Sequence, residues 1–70
     1  MSNTAAHVAR MRARNPFQLI VTDYAERSQR RTMLKPHQLG LDSWVETPGT
    51  RTFGFKTQDE LDNFKRKWKL

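Results

Sequence analysis

Apolar residues alternate along the first half of this chain in a pattern that predicts a β-strand. The clearest segment runs from Phe17 to Tyr24, where Phe17, Leu19 and Val21 fall on one face and are expected in the core. The opposite face carries Gln18, Ile20, Thr22 and Tyr24. Ile20 and Tyr24 are large and mainly apolar, and their presence is hard to explain if that face meets water.

The middle of the chain has weaker periodicity. Residues 30–34 are predicted to pair back as a second strand, which Pro36 ends and confines to a sheet edge. Residues 39–43 contain Gly40 and are predicted to form a loop or a single helical turn.

A β-hairpin is predicted around the sequence Thr47-Pro48-Gly49-Thr50, which is typical of a tight turn. Its strands are expected at residues 44–47 and 50–56. Phe53 and Phe55 share one face of the second strand, as the base-stacking rings of RNA-recognition sheets do. Packing of both rings in the core is the favoured interpretation.

The C-terminal segment predicts an amphipathic helix. Thr57 and Glu60 have the spacing of a capping box, in which each side chain accepts a hydrogen bond from the other residue's backbone N–H. Leu61, Phe64 and Trp68 then recur at helical spacing and are expected to pack on the sheet. The predicted fold is therefore α+β, a three- or four-stranded antiparallel sheet with this helix on one face.

Residues 1–15 are predicted to form a basic N-terminal arm, and residues 16–70 a single small domain. Thr4 is placed to cap a short helix that ends at Arg14, before Asn15-Pro16. A helix of this length has little stability in water without packing partners, so the arm is expected to be a short helix or partly flexible.

Composition excludes several function classes. The 70 residues suffice for one domain, and no cysteine is present to form a disulfide or a thiolate metal site. His7 and His37 are thirty residues apart, without the further ligands that zinc requires. No serine or threonine has a base at catalytic spacing, so neither an enzyme nor a cofactor is expected. No apolar run is long enough to span a membrane, and we expect a cytoplasmic monomer.

The net charge of +6 indicates an acidic partner, and the distribution of this charge along the chain bears on whether that partner is a nucleic acid. Residues 1–35 carry seven Arg or Lys against two acidic residues, a balance of +5, and the last six residues add +4. Residues 36–64 carry two basic and five acidic residues, a balance of −3. A uniform nucleic-acid-binding surface would not contain such an acidic middle.

Two clusters of basic residues are the candidate partner-binding sites: Arg10, Arg12 and Arg14 in the arm, and Arg27, Arg30, Arg31 and Lys35 beside the first strand. Guanidinium groups bind carboxylates and phosphates equally well. The arm arginines have no acidic neighbours in the sequence, which favours contact with a partner. In an extended arm their alternate spacing would place all three on one side. The basic residues from Lys65 to Lys69 are more typical of a helix C-terminus.

The chain resembles small phage-encoded transcription regulators that bind bacterial RNA polymerase. The resemblance is carried by the arginine-rich start and by the segments RARNPFQLIVTDYAERSQRR and TPGTRTFGFKTQDELDNF. It implies docking on the largest polymerase subunit near the RNA exit channel, with an elongation factor or nascent RNA as further contacts. The implied activities are inhibition of initiation, by displacement of the sigma factor, and read-through of terminators.

Two alternatives to this function remain open at the level of sequence. The net charge also fits a small basic module that binds DNA or RNA directly. An accessory protein of a virion is the third hypothesis.

Overall fold

A computed structural model describes residues 5–70, so the predicted helix cap at Thr4 lies outside the described residues. The elements are α1 (Ala5–Arg14), β1 (Phe17–Val21), α2 (Gln29–Met33), α3 (Pro36–Leu39), β2 (Asp42–Trp44), β3 (Arg51–Phe55) and α4 (Gln58–Trp68). The strands form one antiparallel sheet in the order β1-β3-β2. The predicted α+β class, with a small antiparallel sheet and a C-terminal helix, is confirmed.

One face of the sheet carries the hydrophobic core. Phe17 lies opposite Phe55 and Leu19 lies opposite Phe53, so the alternate apolar residues of β1 and β3 share this face. The core also contains Val21, Leu34, Leu61 and Phe64. Phe53 and Phe55 are buried, so the prediction that they are core residues is confirmed and neither ring is free to stack on a base.

Helix α4 covers this face and begins as the sequence predicts. The Thr57 hydroxyl accepts a hydrogen bond from the Glu60 N–H at 3.2 Å, and the Glu60 carboxylate accepts one from the Thr57 N–H at 3.2 Å. The Phe64 ring lies 5.2 Å from that of Phe55 and 5.5 Å from that of Phe53, between ring centroids. These contacts hold α4 on the sheet.

The opposite face of the sheet is also covered, by helix α1, which lies against β2 and β3. Trp44 and Thr52 are paired across the two strands on this face, and both are buried. The Trp44 indole N–H donates to the Glu46 carboxylate at 2.7 Å. Ile20 belongs to the same face but lies on the edge strand β1, where it remains 63% exposed.

The prediction of a strand at residues 30–34 is wrong, because residues 30–33 belong to helix α2 and Leu34 is its C-cap. The Ser28 hydroxyl caps the helix by accepting the Arg31 N–H at 3.1 Å, and Leu34 at its end is buried in the core. A second short helix, α3, begins at Pro36 and ends at Leu39. Gly40 follows as its C-cap, with its backbone in the left-handed conformation. Residues 39–43 were predicted as a loop or a single helical turn. Leu39 ends α3, residues 40–41 connect the elements, and residues 42–43 belong to β2.

Strand β1 is shorter than predicted, and this changes the position of Tyr24. The strand ends at Val21, and Asp23 has a positive φ of 54°. The reversal turns Tyr24 toward the core face, where its ring meets Phe53 edge-on at 6.1 Å between centroids. The prediction that Tyr24 lies on the second face with Ile20 is wrong for this reason.

The predicted hairpin is present with shifted bounds. Strand β2 starts at Asp42 and pairs with β3 from Gly54 to Thr52. The turn falls where expected, with the Thr50 N–H donating to the Thr47 carbonyl at 3.1 Å and Gly49 at a φ of 83°. The division into an arm of residues 1–15 and a domain of residues 16–70 stays a prediction.

Candidate partner-binding surface

The three arm arginines lie on helix α1 and do not share one side of it. Arg10 and Arg14 are four residues apart and occupy one face, whereas Arg12 is about 200° around the axis from Arg10. The alignment that an extended arm would give is therefore absent. The three arginines therefore lie on two different faces of α1.

Two of these arginines have acidic neighbours in the fold. Arg12 forms an ion pair with Glu46, and Arg14 lies 3.5 Å from the Asp42 carboxylate. The arm arginines have no acidic neighbours in the sequence, but the fold brings distant carboxylates to both of these residues. Arg10 is exposed and forms no ion pair with any residue between positions 5 and 70.

The second basic cluster lies on and around helix α2. Arg30 donates to the Thr22 carbonyl at 3.1 Å and to its hydroxyl at 3.2 Å, which joins α2 to the chain after β1. Arg31 donates to the Glu26 carbonyl at 3.1 Å, with the Glu26 carboxylate 4.0 Å away. Arg27 and Lys35 are exposed and make no ion pair within the described chain.

An open groove of about 690 Å³ lies between α1, the α2–α3 segment and strand β2. Its basic side chains are Arg31, Lys35, His37 and Arg51, and its acidic ones are Glu26 and Asp42. Apolar and aromatic surface comes from Met11, Tyr24, Pro36 and Leu41. Two of the seven predicted residues, Arg31 and Lys35, therefore meet in one concave site, and the other five lie outside it.

Arg51 is the groove residue that sequence reasoning missed. Its Nε–H donates to the Ser43 hydroxyl at 2.8 Å, and its guanidinium carbon lies 5.9 Å from the centroid of the Tyr24 ring. A signal was present in the sequence. Arg51 alternates with Phe53 and Phe55, so a cation stands on the same sheet face as two core rings.

Tyr24 connects the core to the groove. Its hydroxyl donates to the Leu34 carbonyl. Burial raises the pKa of this hydroxyl above its ordinary value of 10.0, and the nearby charges of Arg51 and Arg31 oppose the rise. Tyr24 is therefore an uncharged residue of the groove lining, close to the cations of Arg51 and Arg31.

The groove has an excess of positive charge. Asp42 is already engaged by the Asn15 side-chain amide at 2.9 Å and by the cations of Arg14 and Lys56 at 3.5 and 3.9 Å. Glu26 is largely exposed. Lys35 and Arg51 form no ion pair with any described residue, so two cations in the groove are available to external carboxylates or phosphates.

The serines near these basic residues have structural partners. Ser28 caps α2, and Ser43 accepts from Arg51. Among residues 5–70, no three histidine or carboxylate side chains come together as metal ligands would. Within the same range, no helix has the length and apolar character needed to cross a membrane.

No family model, curated protein or solved structure matches this chain.

Proposed function

We propose that this protein is a phage-type transcription regulator that docks on host RNA polymerase near the RNA exit channel. In this proposal it acts in the host cytoplasm as a monomer on the largest polymerase subunit. It inhibits initiation by displacing the sigma factor and promotes read-through of terminators. Its basis in the sequence is the resemblance of RARNPFQLIVTDYAERSQRR and TPGTRTFGFKTQDELDNF to regulators of this kind.

The mixed chemistry of the groove is the observation that carries the choice of a protein partner. Cations, carboxylates and apolar side chains all line it, and protein interfaces combine the same kinds of group. A nucleic-acid backbone is bound by rows of cations without carboxylates among them. Glu26 and Asp42 at this groove therefore favour a protein surface over a nucleic-acid backbone.

Internal ion pairs support the same choice. Glu46 and Asp42 neutralise part of the charge of Arg12 and Arg14, so the net charge overstates the positive potential of the α1 surface. The remaining excess increases the rate of encounter with an acidic partner. Affinity then depends on a few anchors that are well packed in the interface.

The test is a binding series with purified components. We expect the protein to bind core RNA polymerase with micromolar or better affinity and to compete with the sigma factor. Binding to duplex DNA and to single-stranded RNA should be weaker and should fall steeply as salt increases. Tight binding to either nucleic acid, together with no binding to core polymerase, would reject the proposal.

A DNA- or RNA-binding module is the second candidate, and one observation favours it. Lys65, Arg66, Lys67 and Lys69 cluster at the C-terminal end of α4, and no ion pair engages any of them within the described chain. Their replacement by glutamine should abolish nucleic-acid binding if this end is the site. Under the leading proposal the same change leaves affinity for polymerase within about threefold, because exposed cations outside the groove contribute little.

A further inference from the structure

Strand β2 is an edge strand that opens onto the groove. It pairs with β3 on one side only, and its Asp42 and Ser43 line the groove. Apart from its ladder to β3, its backbone makes no hydrogen bond with any described residue. An edge of this kind accepts an added strand, because the unpaired N–H and C=O groups match those of an extended chain.

Arg51 is held in place beside this edge. Its Nε–H donates to the Ser43 hydroxyl, and its guanidinium carbon lies over the Tyr24 ring at 5.9 Å from the centroid. Its terminal nitrogens have no partner among the described residues. A guanidinium that is already ordered loses less entropy when it binds a carboxylate than a free side chain does. Lys35 is exposed and places a second cation at the same groove.

We propose that this groove binds an extended acidic segment of a partner protein, which adds to strand β2 and places a carboxylate on Arg51. The inference deepens the proposed function and rests on it for the source of the segment, a polymerase subunit. Lys35 and Arg31 take further carboxylates, and Met11 and Leu41 contact the apolar residues between them. The alternation of side chains along a strand matches this combination of cations and apolar surface.

The shape of the groove favours a peptide over RNA. Its aromatic residue, Tyr24, is partly buried, donates to Leu34 and packs on Phe53, so it offers no open ring on which a base stacks. An extended peptide pairs with the edge through backbone groups and needs cations only at alternate positions.

The groove can be tested apart from polymerase with the full chain labelled with ¹⁵N. The probes are an acetylated octapeptide alternating glutamate and valine, its counterpart with glutamine, and an octauridylate RNA. We expect the glutamate peptide to shift the amide signals of Ser43 and Arg51, and the glutamine peptide to bind at least about tenfold more weakly. Arg51→Met should reduce affinity for the glutamate peptide about tenfold.

Lys67→Met is the matched control, since it removes one cation at the far end of α4 and should change affinity less than about twofold. If Arg51→Met fails to fold, Lys35→Met, on an exposed side chain, should still weaken binding about threefold. Equal losses for the groove and control variants, signals that shift only around α4, or tighter groove binding by octauridylate would overturn the inference.

The two proposals fail in different ways. If the glutamate peptide binds the groove but core polymerase does not bind the protein, the proposed function is wrong and the groove assignment stands. If polymerase binds and neither Arg51→Met nor Lys35→Met changes its affinity, the groove assignment is wrong and the proposed function stands.

Discussion

The side chain of Asn15 lies directly against Gly54 at the junction of α1 with the sheet. A Cβ atom at Gly54 would come within 2.5 Å of both Cβ and Cγ of Asn15. Asn15 is 1% exposed, and its amide donates to the Met11 carbonyl and to Asp42, both at 2.9 Å. This contact joins the last turn of α1 to the centre of β3 and to strand β2.

Gly54→Ala should therefore destabilise the fold. The added methyl group overlaps the buried Asn15 side chain, and overpacking of this kind costs typically about 1–3 kcal/mol in the free energy of unfolding. Denaturant unfolding measures the change. In an Asn15→Gly background the same substitution should cost less, because the clashing atoms are gone. Equal costs in both backgrounds would show that the contact does not limit the volume at Gly54.

This contact also shows what the sequence could not predict. Alternation identified the core faces of β1 and β3, and the capping box located α4, because both signals depend on neighbouring residues. The covering of the second sheet face by α1 depends on Asn15 meeting Gly54, 39 positions later. The local sign that this face needed cover was Ile20, which the alternation of β1 places on it.

The candidate site was predictable only in part for the same reason. Sequence clustering found Arg31 and Lys35, which are close along the chain. Arg51 joins them because β3 places it beside Tyr24 and Ser43, and that pairing is a property of the folded sheet. The prediction of a strand at residues 30–34 failed because the Ser28 side chain caps a helix over this short segment, a role that the sequence analysis did not assign to it.

The capping box of α4 gives a second stability prediction. Thr57→Ala removes the hydroxyl that accepts the Glu60 N–H and should lower the free energy of unfolding by about 1 kcal/mol. Thr57→Ser keeps the hydroxyl and should remain within about 0.5 kcal/mol of the parent protein. Chemical denaturation of the two variants checks this, and similar losses in both would contradict a role for the cap.

The arginines of α1 should matter more for partner binding than for stability. Arg12 and Arg14 form ion pairs on the surface, and exposed pairs contribute about 0–1 kcal/mol each. We expect the triple change of Arg10, Arg12 and Arg14 to alanine to lower the free energy of unfolding by less than about 2 kcal/mol. Affinity for core polymerase should fall clearly in the same variant.

The matched control for that variant replaces Lys65, Arg66 and Lys67 with alanine and so removes three charges from α4. If the two triple variants lose affinity equally, net charge and not the α1 surface determines binding. A stability loss well above about 2 kcal/mol in the α1 variant would instead assign these arginines to the folded structure.

Tyr24 gives a prediction of pH dependence. Because burial raises the pKa of its hydroxyl, the folded protein keeps this proton at pH values where the unfolded chain has lost it. The stability that comes from the neutral tyrosine is fully present below pH 10 and is lost as pH rises through the folded-state pKa. The free energy of unfolding should therefore fall more steeply above pH 10 in the parent protein than in Tyr24→Phe.

The measurement is direct because Tyr24 is the single tyrosine of the chain, so absorbance at the phenolate band titrates this residue alone. Lysine titration occurs in both proteins and cancels from the comparison. Tyr24→Phe also loses the hydrogen bond to Leu34, so it should be less stable than the parent at pH values where the parent tyrosine is neutral. Parallel pH profiles, or a folded-state midpoint at or below pH 10, would show that burial does not control this group.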